Sequence, residues 1–177
     1  MSPSDRILEI ASKWTGADYV SRQKLDVDLM RSDGPLGQLF SWWLWHTTGN
    51  QLPSAEVDWP GLEAGGLDLD QIHLARFNRD APERSQLVHC GRHAFENLGD
   101  NTGRSPTDFY DPIFGEAVIV DWSTAAYFSS PSYQRIEHTA NGAPSSFRRL
   151  LLPLSNKSNE VSTHLLIGIL PETPRRI

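Results

Sequence analysis

The sequence predicts an α+β fold: a five-stranded antiparallel sheet with short helices on one face, preceded by N-terminal helices. Three observations carry this expectation. Two apolar runs near the end of the chain, residues 145–155 and 161–170, flank a short polar gap, which is the outline of a β-hairpin. Residues 72–77 and 86–90 alternate apolar and polar positions around a stretch holding Asn78, Asp80 and Pro82, the outline of a second hairpin. Between the two hairpins lie a helical block, 108–126, and one more strand, 131–139. With strands in that order and helices only in the middle, the strands pair antiparallel and the helices lie on the sheet as a layer.

Each element has a local cause. Ser2, Pro3 and Asp5 form a helix start, and Ile7, Leu8, Ile10, Ala11 and Trp14 give one apolar stripe that Gly16 ends. Residues 19–32 are a second, weaker helical stretch with sparse apolar positions, Leu25, Leu29 and Met30. Asp33-Gly34-Pro35 is a break. Residues 36–48 hold Trp42, Trp43 and Trp45, half of the six tryptophans, and are apolar over more than one face. This helix is expected to be docked or buried, or else to offer an aromatic surface to a protein partner. Residues 52–59 are extended, and 60–66 form a short helical turn. A short helix follows the first hairpin over 92–98, ended by Gly99. Ser105, Pro106 and Asp108 repeat the helix-start pattern, and Pro112 and Gly115 are expected to split the helical block that follows. Asn141-Gly142 turns the third strand into the fourth. Residues 150–154 are apolar at nearly every position, so this strand is buried on both faces, with Pro153 at an edge or near a strand end. The chain divides into an N-terminal helical extension over 1–50, the sheet domain over 51–170 and a tail over 171–177.

Composition removes several functions. Of 177 residues, one is cysteine, Cys90, so no internal disulfide forms and a reducing compartment fits. A net charge of −6 argues against a nucleic-acid partner, since phosphate rewards basic surfaces. No apolar run reaches the ~18 residues of a membrane span, and the first residues lack the basic and apolar regions of a secretory signal. A cytoplasmic location is expected.

Four segments together resemble a family. These are Trp42-Trp43-Leu44-Trp45 running to the Leu52-Pro53 segment and its acidic continuation; Leu87-Val88-His89-Cys90-Gly91; the stretch from Phe95 through Gly99 to Thr102-Gly103; and Phe147-Arg148-Arg149-Leu150-Leu151-Leu152-Pro153-Leu154. In order and spacing, over about 39–169, they resemble a branch of small stand-alone bacterial PAS proteins. Gly99-Asp100-Asn101-Thr102-Gly103 departs from that branch, which carries an acidic residue and Leu before Thr-Gly. Residues 1–35 lie outside the resemblance. It implies a non-catalytic sensor that acts in trans on a signalling partner such as a histidine kinase. It also implies a homodimer through the N-terminal helices and a small-molecule ligand held between sheet and helices. By family position the ligand-binding residues are Phe95, Tyr110, Phe114, Tyr127, Phe147, Arg149 and Leu151, with Val118 beside them; the bland reading of the same residues is plain core.

The side chains bear on cofactor and catalytic chemistry independently of that resemblance. A PAS haem takes its axial His from the helix before the third strand, and 105–130 contain none. Cys90 stands at a strand end, the wrong place for a flavin–cysteine adduct. No cofactor and no metal is expected; His73, His89, Cys90 and His93 are the candidates for a metal, but zinc sites show tighter, repeated ligand pairs. No nucleophile elbow, P-loop or dinucleotide fingerprint occurs, so no catalytic residue is assigned. The alternative is a cone-shaped α+β (NTF2-like) enzyme or carrier with an interior acid–histidine pair, Asp121 and His138. Strand order distinguishes the two, because PAS sheets place the first strand between the second and the fifth. Alternation sends Arg148 and Arg149 to opposite faces, and one of them is expected to meet either a ligand's acid group in the pocket or a surface carboxylate.

Overall fold

The sheet is built outward from its closing hairpin. The computed structural model describes residues 19–26, 28, 34–92, 100–140, 143–156 and 161–172. In chain order these form β1 (Tyr19–Lys24), α1 (Gly34–His46), α2 (Trp59–Ala64), β2 (Ile72–Arg76), β3 (Gln86–His89), α3 (Pro106–Phe109), α4 (Pro112–Phe128), β4 (Ser132–Ala140), β5 (Ala143–Leu154) and β6 (His164–Glu172). Single 3₁₀ turns at Leu69–Gln71 and Pro82–Arg84 precede β2 and β3.

β5 and β6 pair antiparallel over nine residues, from Ser146↔Glu172 to Leu154↔His164. Leu150, Leu151, Leu152 and Leu154 are each 0% exposed, so the strand is buried on both faces as its apolar run requires. Pro153 falls where it costs no ladder bond. β4 begins at Ser132, opposite Leu151, so nothing of β4 lies beside Pro153, and its carbonyl instead accepts from Trp43 Nε1 at 2.8 Å.

Within one sheet the strand order is β1-β4-β5-β6-β2-β3, all neighbours antiparallel. β2, the first strand of the expected five, lies between β3 and β6, the second and the fifth. The fold is therefore PAS-like, and the order is not that of the alternative. Three details differ from expectation. The sheet has a sixth strand, because Tyr19–Lys24 is β1 and not helix: it zips onto the edge of β4 in six consecutive pairs. A sparse apolar pattern has little to gain as a helix, and an open ladder gives every second backbone group a partner. Second, Gly115 does not split the helical block. α4 runs through it, and the missing side chain lets α3 approach, since a Cβ there would stand 2.9 Å from the Pro106 carbonyl oxygen. Third, helices cover both faces. The helix expected over 2–14, the helix over 92–98 with His93 and Phe95, and the turn at Asn141-Gly142 fall outside the described residues.

The face beneath α4, here called inner, buries Phe114, Ala117, Val118, Trp122, Ala125 and Ala126 of the helix against Ile136, Leu151, Leu165, Ile167 and Ile169 of the sheet. The outer face is covered by α1, whose Leu36, Leu39, Phe40 and Trp43 repeat at helical spacing and pack with Leu150, Leu152, Leu154 and Leu166. α1 is thus docked through one stripe only: Trp45 is 86% exposed. α2, α3 and α4 begin at local caps. Asp111 accepts from Phe114 N at 3.1 Å with Pro112 in the first turn of α4, Ser105 N donates to Asp108 Oδ2 at 3.1 Å in α3, and Asp58 accepts from Gly61 N in α2. Among the described residues no helix is long and apolar enough to cross a membrane.

Candidate functional site

Antiparallel register places Gln134, Arg149 and Ile169 in one row across the inner face, with Ile136 and Phe147 in the next row. The inner member of the arginine pair is Arg149, which is 3% exposed. Its Nη2 donates to Asp121 Oδ2 of α4 at 2.5 Å and to Gln134 Oε1 of β4 at 2.7 Å. The other carboxylate oxygen of Asp121 is paired with Nη1 of Arg22, reaching over from β1. Burial lowers Arg149 to about 10, and it remains a cation at neutral pH. Arg148 turns to the outer face, where it forms an ion pair with Glu172 at 2.8 Å, and Glu172 accepts from Arg135 Nε at 3.2 Å.

An aromatic wall stands beside this polar row. The Tyr110 ring lies 4.6 Å from Phe109 and 4.5 Å from Phe114, and Phe114 meets Phe147 at 6.3 Å and the His138 ring at 4.3 Å. Burial pushes the Tyr110 phenol up, so it is neutral at any physiological pH. His138 Nε2 lies 2.8 Å from Asp111 Oδ2, so one carboxylate both caps α4 and holds β4.

Of the residues expected to bind a ligand, Tyr110, Phe114, Phe147 and Leu151 belong to one inner cluster with Val118, and Arg149 lies next to them. Tyr127 does not join them. It sits 13 residues beyond Phe114 in α4, about 20 Å along the axis, with its ring edge-on to Phe77 at 5.5 Å and its hydroxyl donating to the Arg79 carbonyl. Phe95 lies outside the described residues. Asp121 and His138, the pair of the alternative reading, go to different partners, Arg149 with Arg22 and Asp111 respectively. Sequence reasoning missed Arg22 and Gln134. Gln134 had a signal, because strand alternation puts it on the face of Ile136; Arg22 had none once its segment was taken for helix.

The described histidine and cysteine candidates, His73, His89 and Cys90, lie near one another but each has its own surroundings. His73 is buried and its Nδ1 accepts from Gly91 N at 2.9 Å. His89 stacks on Trp59 at 4.3 Å, beside a cleft of about 390 Å³ bordered by Glu63, Asp68, Asp70, Cys90 and Arg92. Burial pushes the Cys90 thiol up, away from the reactive thiolate. Among the described residues no group of His, Cys, Asp and Glu is placed to hold a metal ion.

Burial lowers His73 to about 3 from its ordinary 6.5, and lowers His89 and His164 in the same direction. The unfolded chain therefore takes up protons that the folded chain refuses. This part of the stability is complete above pH 6.5 and is lost as pH falls toward 3, at up to about 1.4 kcal/mol per pH unit for His73. Urea midpoints between pH 7.5 and 5 should fall accordingly, and His73→Gln should flatten the curve. A curve already flat in the unsubstituted protein contradicts the burial of a neutral His73.

No family model and no curated protein matches this chain. A solved structure described as an RNA-binding light-oxygen-voltage receptor matches 88% of it at 16% identity with a TM-score of 0.42, and the match spans 39% of that receptor's chain. The PAS-like assignment stands on the strand order.

Proposed function

We propose that this protein is a non-catalytic sensory module that acts in trans, by direct contact, on a signalling protein such as a histidine kinase. A small molecule binds beneath α4, with its apolar body against Tyr110, Phe114, Phe147 and Leu151 and an acidic group at Arg149. The observation that supports this reading is a buried guanidinium set beside a wall of aromatic rings beneath α4. An acidic ligand there shares Arg149 with Asp121 and Gln134, which orients it against the apolar wall. Native mass spectrometry of the freshly purified full chain tests it. The expected result is a colourless protein carrying a small-molecule mass increment, and raised in Tm by a carboxylic acid of matching size. A bare mass, with no stabilisation from a panel of aromatic and aliphatic carboxylates, overturns the ligand. A Soret or flavin band overturns the absence of a cofactor.

The same reading makes the protein a homodimer through its N-terminal helices. Trp45 is 86% exposed on α1, and the rings of Trp42 and His46 lie 4.6 Å apart on the same helix. Trp45→Glu should leave thermal stability within about 0.5 kcal/mol, as solvent-facing changes do, while converting a sedimenting dimer to monomer. A mass unchanged by the substitution removes this surface from the dimer.

A further inference from the structure

β1 differs from the other strands in how it is held. It is an edge strand, joined among the described residues to β4 alone. At Ser21, Gln23 and Lys24 its side chains are exposed. Arg22 alone among residues 21–24 turns inward, with a side chain 4% exposed, and its anchor is not the apolar core but the carboxylate of Asp121 on α4. That carboxylate is shared with Arg149 of β5, which also takes Gln134 of β4. One acid on the covering helix therefore ties β1 to β5, and Arg149 carries the tie on to Gln134 of β4. The opposite edge is built otherwise. Leu87 of β3 is 1% exposed, and the outer side of that strand is closed by backbone bonds from Leu87 N to Arg104 O and from Gly103 N to Leu87 O.

From this contrast we infer that β1 is a releasable strap, latched by Arg22 onto Asp121, so that a shift of α4 on the inner face frees the N-terminal segment from the sheet. The physical reason is that a hydrogen-bonded ion pair in a desolvated site has a narrow geometric tolerance. If α4 moves by an ångström or two, Arg22 keeps neither its bond nor water, and a buried guanidinium without its carboxylate is strongly disfavoured. Leaving the sheet returns the cation to solvent and gives up a backbone ladder with little apolar packing over 21–24. Leu25, whose N–H donates to Tyr133 O and which packs partly against the outer core, is where the release stops. The coupling operates whether or not a ligand enters beneath α4, so it stands apart from the ligand reading.

Amide hydrogen exchange by NMR on the full chain tests it, because β4 carries its own control. The Leu25–Tyr133 bond and the register put the amides of Arg135, Glu137 and Thr139 toward β1, and those of Gln134, Ile136 and His138 toward β5. In the unsubstituted protein the β1-facing set should exchange at least about tenfold faster than the β5-facing set, the signature of a local opening. Arg22→Gln should widen that gap by a further factor of about ten, with Arg22→Lys intermediate. Asp121→Asn should raise exchange at the β1-facing amides above the Arg22→Gln level, because it strands the guanidinium, and Arg22→Gln/Asp121→Asn should bring that exchange back down. Equal protection of the two sets in the unsubstituted protein overturns the strap even if a variant fails to fold. A rise in Arg22→Gln shared by both sets overturns the latch.

Discussion

Asp121→Asn should lower the unfolding free energy by about 3–5 kcal/mol, the cost of leaving buried charge without its counterion. Asp121 is 5% exposed and takes both Arg149 and Arg22. Asparagine keeps the volume and one acceptor but removes the charge that both guanidiniums share. The stronger form of the test replaces the whole cluster. Arg22→Met/Asp121→Leu/Arg149→Met removes the charges together and should recover most of the loss, because a buried ion cluster exchanged for apolar groups of similar size is often neutral. Urea denaturation of the single and triple variants reads both values. A loss under about 1 kcal/mol for Asp121→Asn would mean that water reaches the cluster, which the burial of these side chains does not allow.

Gly91→Ala is expected to be at least as damaging, at about 3 kcal/mol or more, the range of severe overpacking. A Cβ at this position would stand 2.4 Å from the Asp70 carbonyl oxygen and 2.8 Å from that of Ile72. Both are backbone atoms at the entry to β2 and cannot rotate aside. The same residue donates its N–H to buried His73, so a shift of the backbone would also leave that imidazole nitrogen without its donor. Gly168→Ala provides the comparison. There the Cβ would meet Leu36 and Leu39 Cδ2 at 2.8 and 2.9 Å, ends of side chains that can turn, so its cost should be smaller. Soluble yield and urea midpoints of the two variants check the order. Equal, small losses would place Gly91 elsewhere than against the β2 entry.

Much of the architecture was legible because its causes are local. The alternation in residues 72–77 and 86–90, the unbroken apolar run at 150–154 and the cap at Ser105 and Asp108 each act within a few residues, and each element stands where these signals put it. The assignment of β1 failed for the opposite reason. Nothing between Tyr19 and Lys24 reveals that β4 leaves an open edge, since the pairing partner lies more than a hundred residues away. Gly115 misled because glycine in a helix has two causes, weakness and close approach, and only the neighbouring helix α3 distinguishes them.

The candidate site divides the same way. Tyr110, Phe114, Phe147 and Leu151 were legible as one inner wall because helical and strand periodicity assign faces. Tyr127 looked similar but lies too far along α4, where distance along a helix axis counts and a shared helix does not.

By itself the sequence determined the strands of the PAS-like sheet and their chain order, the burial of the closing hairpin on both faces, and the rule that Arg148 and Arg149 point opposite ways. Periodicity and proline chemistry act at short range and need no partner. Only the tertiary structure decided which arginine goes inward, what meets it, and that a sixth strand brings a second guanidinium to the same carboxylate. Those outcomes depend on which strand edge is left open and which helix covers the sheet, and buried charges are placed by partners that are far apart in the chain.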